Sequence, residues 1–397
     1  EGLATYVSIL SFNKQLNEVL NYAQIVNNEI SLDNIIWYKF NFDNFSDDAW
    51  DFNLNQSIKN KIYQYSVLLG DCADFVYGII SGYDAAFIVS HEEAKKHNLE
   101  EEMLFEFVKP ENYSRYGLEK LDKFIIYPYD NDNNLYSEDL LKTQFPNTYN
   151  YLYQNKEILE NRKDSRFTIL EKGLNWYVIM RRIDSREIAK SKIVFYDVGM
   201  LPNFYLDING VAFGGGTSHS LSVKNINDFH LEYLLALLNS KLIGWIIQDI
   251  CPVKMGGARK YGLDYMRRLP IRKIAIDNQK QYLVLSQIIT DSISKLNSIK
   301  IQFSTLLRSK YELEKISKNL QNWFDLEFKD FLKELQKANV KLTLSEEADW
   351  MNYFTEQKQK AQTLKSEIDK TDREIDRMVY ALYGLTEEEI KIVEESV

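Results

Sequence analysis

The chain has 397 residues, with 48 basic and 58 acidic side chains and a formal net charge of −10. With 45% hydrophobic residues, only 6 prolines and 16 glycines, it is a globular chain long enough for two or three domains. Collagenous, low-complexity and disordered classes are excluded. Apolar runs such as 231–247 are interrupted by Glu232, Asn239, Ser240 and Lys241, so no membrane partner is expected.

In chain order, Glu1–Lys14 holds neither an initiating Met nor a secretory signal, which reads as a piece of a longer protein. The alternating run Ala4–Phe12 predicts a strand. A polar stretch rich in Asn and Asp continues through Asn60 and reads as connector with short elements. Between 71 and 273, Phe75–Ile80, Ala85–Ser90, Lys123–Tyr127, Trp176–Met180 and Lys192–Tyr196 are rich in Val, Ile, Phe and Tyr and predict strands. Tyr149–Arg162 is a helical candidate. Leu231, Leu234, Leu235, Leu238 and Leu242 recur at helical spacing and predict one strong helix, with Asn227 and Asp228 as its cap. Leu269-Pro270-Ile271 reads as a strand returning to the core. This middle section is α+β.

After Pro270 glycine is absent until Gly384, and apolar residues recur near every 3.5 positions. Ile289, Ile293, Leu296, Ile299, Phe303 and Leu306 form one series; Leu364, Ile368, Ile375, Val379 and Leu382 form another. Both predict long amphipathic C-terminal helices, paired as a hairpin or in coiled-coil fashion. Thr386 and Glu389 have capping-box spacing and predict the start of a last short helix.

Charge is segregated along the chain. Residues 41–139 hold 20 acidic and 8 basic side chains, whereas 140–192 hold 11 basic and 6 acidic. Lys254–Lys273 carries seven basic residues and a single acid, Asp264. An acidic chain with such local basic blocks has the footprint of a polyanion-binding surface, although charge runs are also ordinary solvated faces.

Chemistry is harder to find. Methyl transfer to an exocyclic amine needs an Asn/Asp-Pro-Pro-aromatic loop to accept the amine's hydrogens, and no two prolines are adjacent. The glycine cluster Phe213–Thr217 lacks both the last glycine of a cofactor loop and the Gly-Lys-Ser/Thr ending of a phosphate loop, and reads as a turn. Asp84 with Glu93 and Lys95 has the order of a nuclease carboxylate set, but Glu-x-Lys recurs at Glu327–Lys329, Glu356–Lys358 and Glu389–Lys391. His91, His97, His219 and His230 show no ligand spacing. Cys72 and Cys251 are too few for a disulfide framework or a zinc site, which points to a reducing, cytoplasmic setting. No catalytic residue, metal ligand or cofactor site is expected within this chain.

The basic block does offer a binding constellation. Gly256 and Gly257 permit a tight loop. Lys254, Arg259, Lys260, Arg267 and Arg268 supply phosphate charge and guanine-reading forks, and Tyr261 a stacking face. Arg181 and Arg182 add a second basic edge.

The stretch Tyr77–Ile88 (YGIISGYDAAFI) resembles a segment of TaqI-like specificity domains. Lys109-Pro110, Arg115-Tyr116, Ile125–Tyr129, Tyr151–Arg162, Trp176-Tyr177, Lys192-Ile193, Tyr233–Leu242, Gly256-Gly257 and Leu269–Ile271 continue that resemblance in order. Glu367–Ile390 is similar to the C-terminus of type IIG restriction–modification methyltransferases. The resemblance covers about residues 70–395 and implies the target-recognition half of an adenine-specific DNA methyltransferase. It implies double-stranded DNA and the rest of the same protein, its methyltransferase domain, as partners. It implies S-adenosylmethionine for that parent, and Mg2+ if a nuclease domain is present. On this reading 1–70 is the exit of the methyltransferase domain plus a connector, 71–275 the target-recognition domain and 276–397 a helical domain. Ser81, Tyr83 and Asp84 then join the candidate DNA-binding residues. A specificity subunit of a multisubunit restriction system and a helical protein-interaction scaffold are the competing expectations.

Overall fold

In a computed structural model that describes residues 19–22, 38–41, 55–201, 203–215 and 217–396, the chain divides into units 1–60 and 61–397. In the first, Val19–Tyr22 and Tyr38–Asn41 pair antiparallel. The strand expected at Ala4–Phe12 lies outside the described residues, as does most of the connector.

The second unit is a mixed α/β region followed by long C-terminal helices. Lys192–Tyr196 (KIVFY) combines β-branched and aromatic residues, the composition of a strand covered on both faces. It is central in an antiparallel sheet ordered Phe204–Asp207, Lys192–Tyr196, Ser218–Val223, Ala73–Tyr77. A second sheet runs Ala212–Phe213, Leu104–Val108, Lys123–Ile126, Ile88–Ser90, with its first pair parallel. Ile79, Phe107, Ile125, Tyr127, Val194 and Phe213 belong to one core that joins the two sheets. Pro270–Arg272 forms the expected returning strand, paired with Ser66–Leu68.

Several expected elements change form. The strand expected at 75–80 is Ala73–Tyr77 and stops at Gly78. Ala85–Ser90 is half strand: Asp84–Phe87 makes one helical turn, and only the β-branched Ile88 and Val89 lead into the ladder. Trp176–Met180 forms turns, because side chains claim its polar backbone: Arg162 takes the carbonyls of Trp176 and Val178, and Tyr129 Oη accepts the Ile179 amide. Tyr149–Arg162 divides into helices Pro146–Tyr153 and Lys156–Glu160.

The single helix expected after Asn227 is two, Leu231–Asn239 and Lys241–Ile250. Asn227 and Asp228 form a turn and do not cap. Ser240 breaks the helix and caps the second half through the Ile243 amide. Asn239 faces the sheet edge, its Oδ1 accepting from the Phe204 amide and its Nδ2 donating to the Phe204 carbonyl.

The two long helices are Lys280–Tyr311 and Leu344–Tyr383. Contacts of Tyr282 with Met378, Ser292 with Glu367 and Phe303 with Phe354 run in opposite chain directions, so the pair is an antiparallel hairpin. At its tip the segment 312–343, including helix Phe328–Lys337, folds back over Phe303, Trp350 and Phe354 to close a separate core. Thr386 and Glu389 make the expected reciprocal cap ahead of Glu387–Ser396.

The other end of the hairpin is latched to the α/β region by buried charge. Arg115 forks onto Asp372 at 2.7 and 3.0 Å and also donates to the Asn239 carbonyl. Asp376 Oδ1 accepts the Lys241 amide at 2.8 Å, at the N-terminus of Lys241–Ile250, while its Oδ2 has no partner among the described residues. Burial pushes the Asp376 carboxyl up to about 6, and neighbouring Asp372 adds to the effect. A carboxyl raised in the folded state favours folding below its unfolded value near 4, and that contribution is lost as pH rises through about 6. Asp376→Asn keeps the amide acceptor without the charge, so it is expected to raise stability at pH 8 by about 1–3 kcal/mol. It should also flatten the pH dependence around 6. Urea unfolding at pH 5 and pH 8 checks both; equal loss at the two pH values would show that the carboxylate is not strained.

Candidate functional site

Register decides which side chains meet. Phe195, His219 and Tyr77 lie opposite one another on three neighbouring strands. The loops at that end of the sheet include 78–84, 197–201 and 213–215, so residues far apart in the chain converge there.

His219 is buried, with Nε2 3.5 Å from Asp197 Oδ1 and Nδ1 without a partner among the described residues. Burial lowers its pKa, Asp197 opposes the shift, and Arg181 and Lys260 reinforce it. Tyr77 presents its ring to the His219 edge at 5.3 Å and carries the Arg181 guanidinium at 5.3 Å on its face. Two residues back on the same face, Phe75 carries Arg267 at 5.2 Å. The edge strand is thus lined by aromatic rings with arginines laid over them.

The basic loop completes this surface. Gly256 and Gly257 both sit at positive φ, 79° and 84°, the geometry that glycine supplies without strain. Arg259–Lys260 returns as a short strand against Val198–Gly199, and Val253 bridges Arg259 on its other side. Lys254 is exposed, Arg259 and Lys260 are half-buried, and none of the three forms an ion pair among the described residues; the same holds for exposed Arg181 and Arg268. Unpaired cations at one end of a sheet are an electrostatic site for an anionic ligand.

The 78–84 loop is held from beneath. Arg162 is buried and donates to the carbonyls of Ser81, Trp176, Val178 and Leu159, with no carboxylate partner among the described residues. Ser81 Oγ donates to Asp84 Oδ1 at 2.5 Å, and Lys109 Nζ donates to Asp84 Oδ2 at 2.7 Å. Burial raises the Asp84 carboxyl, but these hydrogen bonds outweigh it and hold the group below its ordinary range. Glu93 accepts from Ser90 in a capping box. Each carboxylate of the nuclease-like set therefore has a structural partner.

The expected site residues divide into groups. Arg181, Arg259, Lys260 and Lys254 share the sheet end with Ser81, Tyr83 and Asp84. Arg267 lies farther along the edge strand and is ion-paired to Asp264 at 3.7 Å. Arg268 is exposed beside it, its carbonyl accepting from Tyr63. Arg182, expected beside Arg181 as one basic edge, turns away: it lies over Tyr129 at 4.9 Å and donates to the Asn133 carbonyl. Tyr261, expected as a stacking face, is buried, with its hydroxyl donating to Gly199 at 2.7 Å and its amide to Asp197 at 2.6 Å. It braces the basic loop, and the exposed ring of this surface is Tyr77. Tyr77, Asp197 and His219 were missed because only cross-strand register brings them together.

Comparison with known proteins bears on this arrangement. Residues 133–271, which contain Arg181, His219 and the whole basic loop, match the family described as the TaqI-like C-terminal specificity domain. That segment of the chain is similar to a TaqI-like specificity domain. Residues 275–379, the helical hairpin, match a domain of unknown function, DUF8810. The chain is 29% identical over 178 residues to type II methyltransferase M.MjaIV of Methanocaldococcus jannaschii, covering 44% of this chain and 56% of that protein. It is 24% identical over 240 residues to type II methyltransferase M.BstVI of Geobacillus stearothermophilus, covering 60% of this chain and 40% of that protein. M.BanIII of Aneurinibacillus aneurinilyticus is 26% identical over 195 residues, covering 48% of this chain and 32% of that protein. The matches thus span about a third to a half of these relatives. Among solved structures, the type IIL restriction–modification enzyme MmeI in complex with DNA aligns over 81% of this chain and 35% of that chain, with a TM-score of 0.42 and 11% identity.

Proposed function

We propose that this chain is the DNA target-recognition half of a restriction–modification adenine methyltransferase, and that the cationic sheet end holds duplex DNA. The observation that carries this reading is that the specificity-domain segment gathers Arg181, Lys254, Arg259 and Lys260 on one surface, none of them with an ion-pair partner among the described residues. Cations there hold phosphates, while forks and rings at the loop tips reach base edges. Tyr83 and Asp84 border the same surface, whereas Ser81 is buried and braces the loop by donating to Asp84. The division into 1–70, 71–275 and 276–397 follows from the same reading. So does the methyltransferase domain as the intramolecular partner.

S-adenosylmethionine belongs to that other half. The glycine cluster marks a close approach of backbone: Gly214 is buried, and a Cβ there would meet the Ile79 carbonyl at 2.6 Å. Its glycine permits strands to cross closely. The thiols of Cys72 and Cys251 are buried and pushed up to about 11 and about 12, as befits reduced, unreactive cysteines in the cytoplasm.

Arg259→Ala combined with Lys260→Ala is expected to weaken duplex binding about tenfold or more and to make the salt dependence shallower by about two phosphates. Fluorescence anisotropy across a salt series measures both. Unchanged affinity and slope would remove DNA from this surface and favour the protein-interaction scaffold.

A further inference from the structure

The basic loop carries apolar side chains as well as cations. Val198 pairs directly with Lys260, and Gly199 with Arg259, while Val253 flanks Arg259 on the other side. The three short segments make a narrow ribbon. Its tip is formed by 200–201 beside 255–257, and the Met200 Cε lies 3.7 Å from where a Gly257 Cβ would stand. On this ribbon Val198 is 38% exposed, Val253 43%, Leu201 45% and Met200 63%. Large apolar side chains gathered on one exposed loop pair mark an interaction site.

The charges around them select the partner. Residues 198–201 and 252–260 contain Lys254, Arg259 and Lys260 and no carboxylate. The core of a protein–protein interface is depleted of charge, whereas an apolar tip framed by cations of one sign is complementary to a nucleic-acid groove, with apolar base edges at its floor and phosphates along its rims. The major groove admits a β-ribbon of this width, and its thymine methyls are apolar contacts.

We propose that this ribbon enters a DNA groove, with Met200 and Leu201 packed on base edges while Lys254, Arg259 and Lys260 hold the flanking phosphates. The inference rests on the DNA-binding reading and assigns a specificity role to residues that carry no charge. Because both side chains are exposed, Met200→Ala with Leu201→Ala leaves the core intact, which circular dichroism verifies. Binding is measured to a duplex enriched from a library with a randomised core and to a scrambled duplex of equal length. The double variant is expected to lose about tenfold in affinity for the enriched duplex, with scrambled-duplex affinity and salt slope unchanged. Met200→Cys adds a proximity measurement, since both native cysteines are buried. It is expected to cross-link by thiol–disulfide exchange with a mixed disulfide tethered to a base of the bound duplex, the cysteine thiolate displacing the small thiol of the tether. An unchanged enriched-to-scrambled ratio, or no cross-link in a duplex the protein binds, overturns the groove-entering ribbon and leaves DNA binding standing. No binding of any duplex by the wild-type chain at low salt overturns both.

Discussion

Arg162→Ala is expected to destabilise the protein by about 3–5 kcal/mol, because it leaves buried carbonyl oxygens without donors. The guanidinium donates to Trp176 at 2.6 Å, Val178 at 2.9 Å, Leu159 at 3.0 Å and to the Ser81 carbonyl, and it lies 5.3 Å over the Phe87 ring. Burial pulls its pKa down to about 10, so it stays charged at neutral pH. The planar fork is what allows one side chain to serve four acceptors on three segments. Arg162→Lys keeps the charge but has a compact head on a flexible stem, so an intermediate loss is expected. Urea unfolding of the three proteins measures this; a loss under about 1 kcal/mol for the alanine variant would mean that water replaces the guanidinium. Arg162 also supports the 78–84 loop, so the alanine variant should bind duplex DNA more weakly even where it remains folded.

Trp323→Ala is expected to cost about 3–5 kcal/mol, confined to the tip of the helical hairpin. Trp323 is fully buried, stacked on Phe303 with centroids 3.8 Å apart and packed edge-on against Phe354 and Phe324. That core shares no side chain with the core between the sheets. The hairpin tip should therefore melt early in near-UV circular dichroism while the α/β region keeps its transition. Trp323→Phe keeps the stacking and removes an indole N–H that has no partner among the described residues, so a change within about 1.5 kcal/mol is expected. A single melt of the alanine variant at the wild-type midpoint would contradict this independence.

Elements with local causes were legible in the sequence. Lys192–Tyr196 has the expected bounds because four consecutive strand-forming residues, Ile193 to Tyr196, need no distant partner to declare their preference. The two long helices follow from apolar spacing sustained over many turns, although they extend beyond the series that predicted them. Trp176–Met180 has the composition of a strand yet forms turns, since Arg162 and Tyr129 compete successfully for its backbone. The break at Ser240 was invisible in the leucine spacing because it places Asn239 on the edge of a sheet 35 residues earlier and the Lys241 amide on Asp376.

The candidate site divides along the same line. Charge segregation, the paired glycines and the ordered family motifs marked the basic loop, and these are properties of short stretches of chain. Burial of Tyr261, the turning away of Arg182 and the meeting of Tyr77, Asp197, His219 and Arg181 are decided by strand register and by competition for hydrogen-bond partners. The sequence by itself determined which residues could carry positive charge to a polyanion and that the two long C-terminal segments would be helical. Only the tertiary structure decided which of those residues face solvent together, because exposure belongs to the packed assembly of elements and not to any one of them.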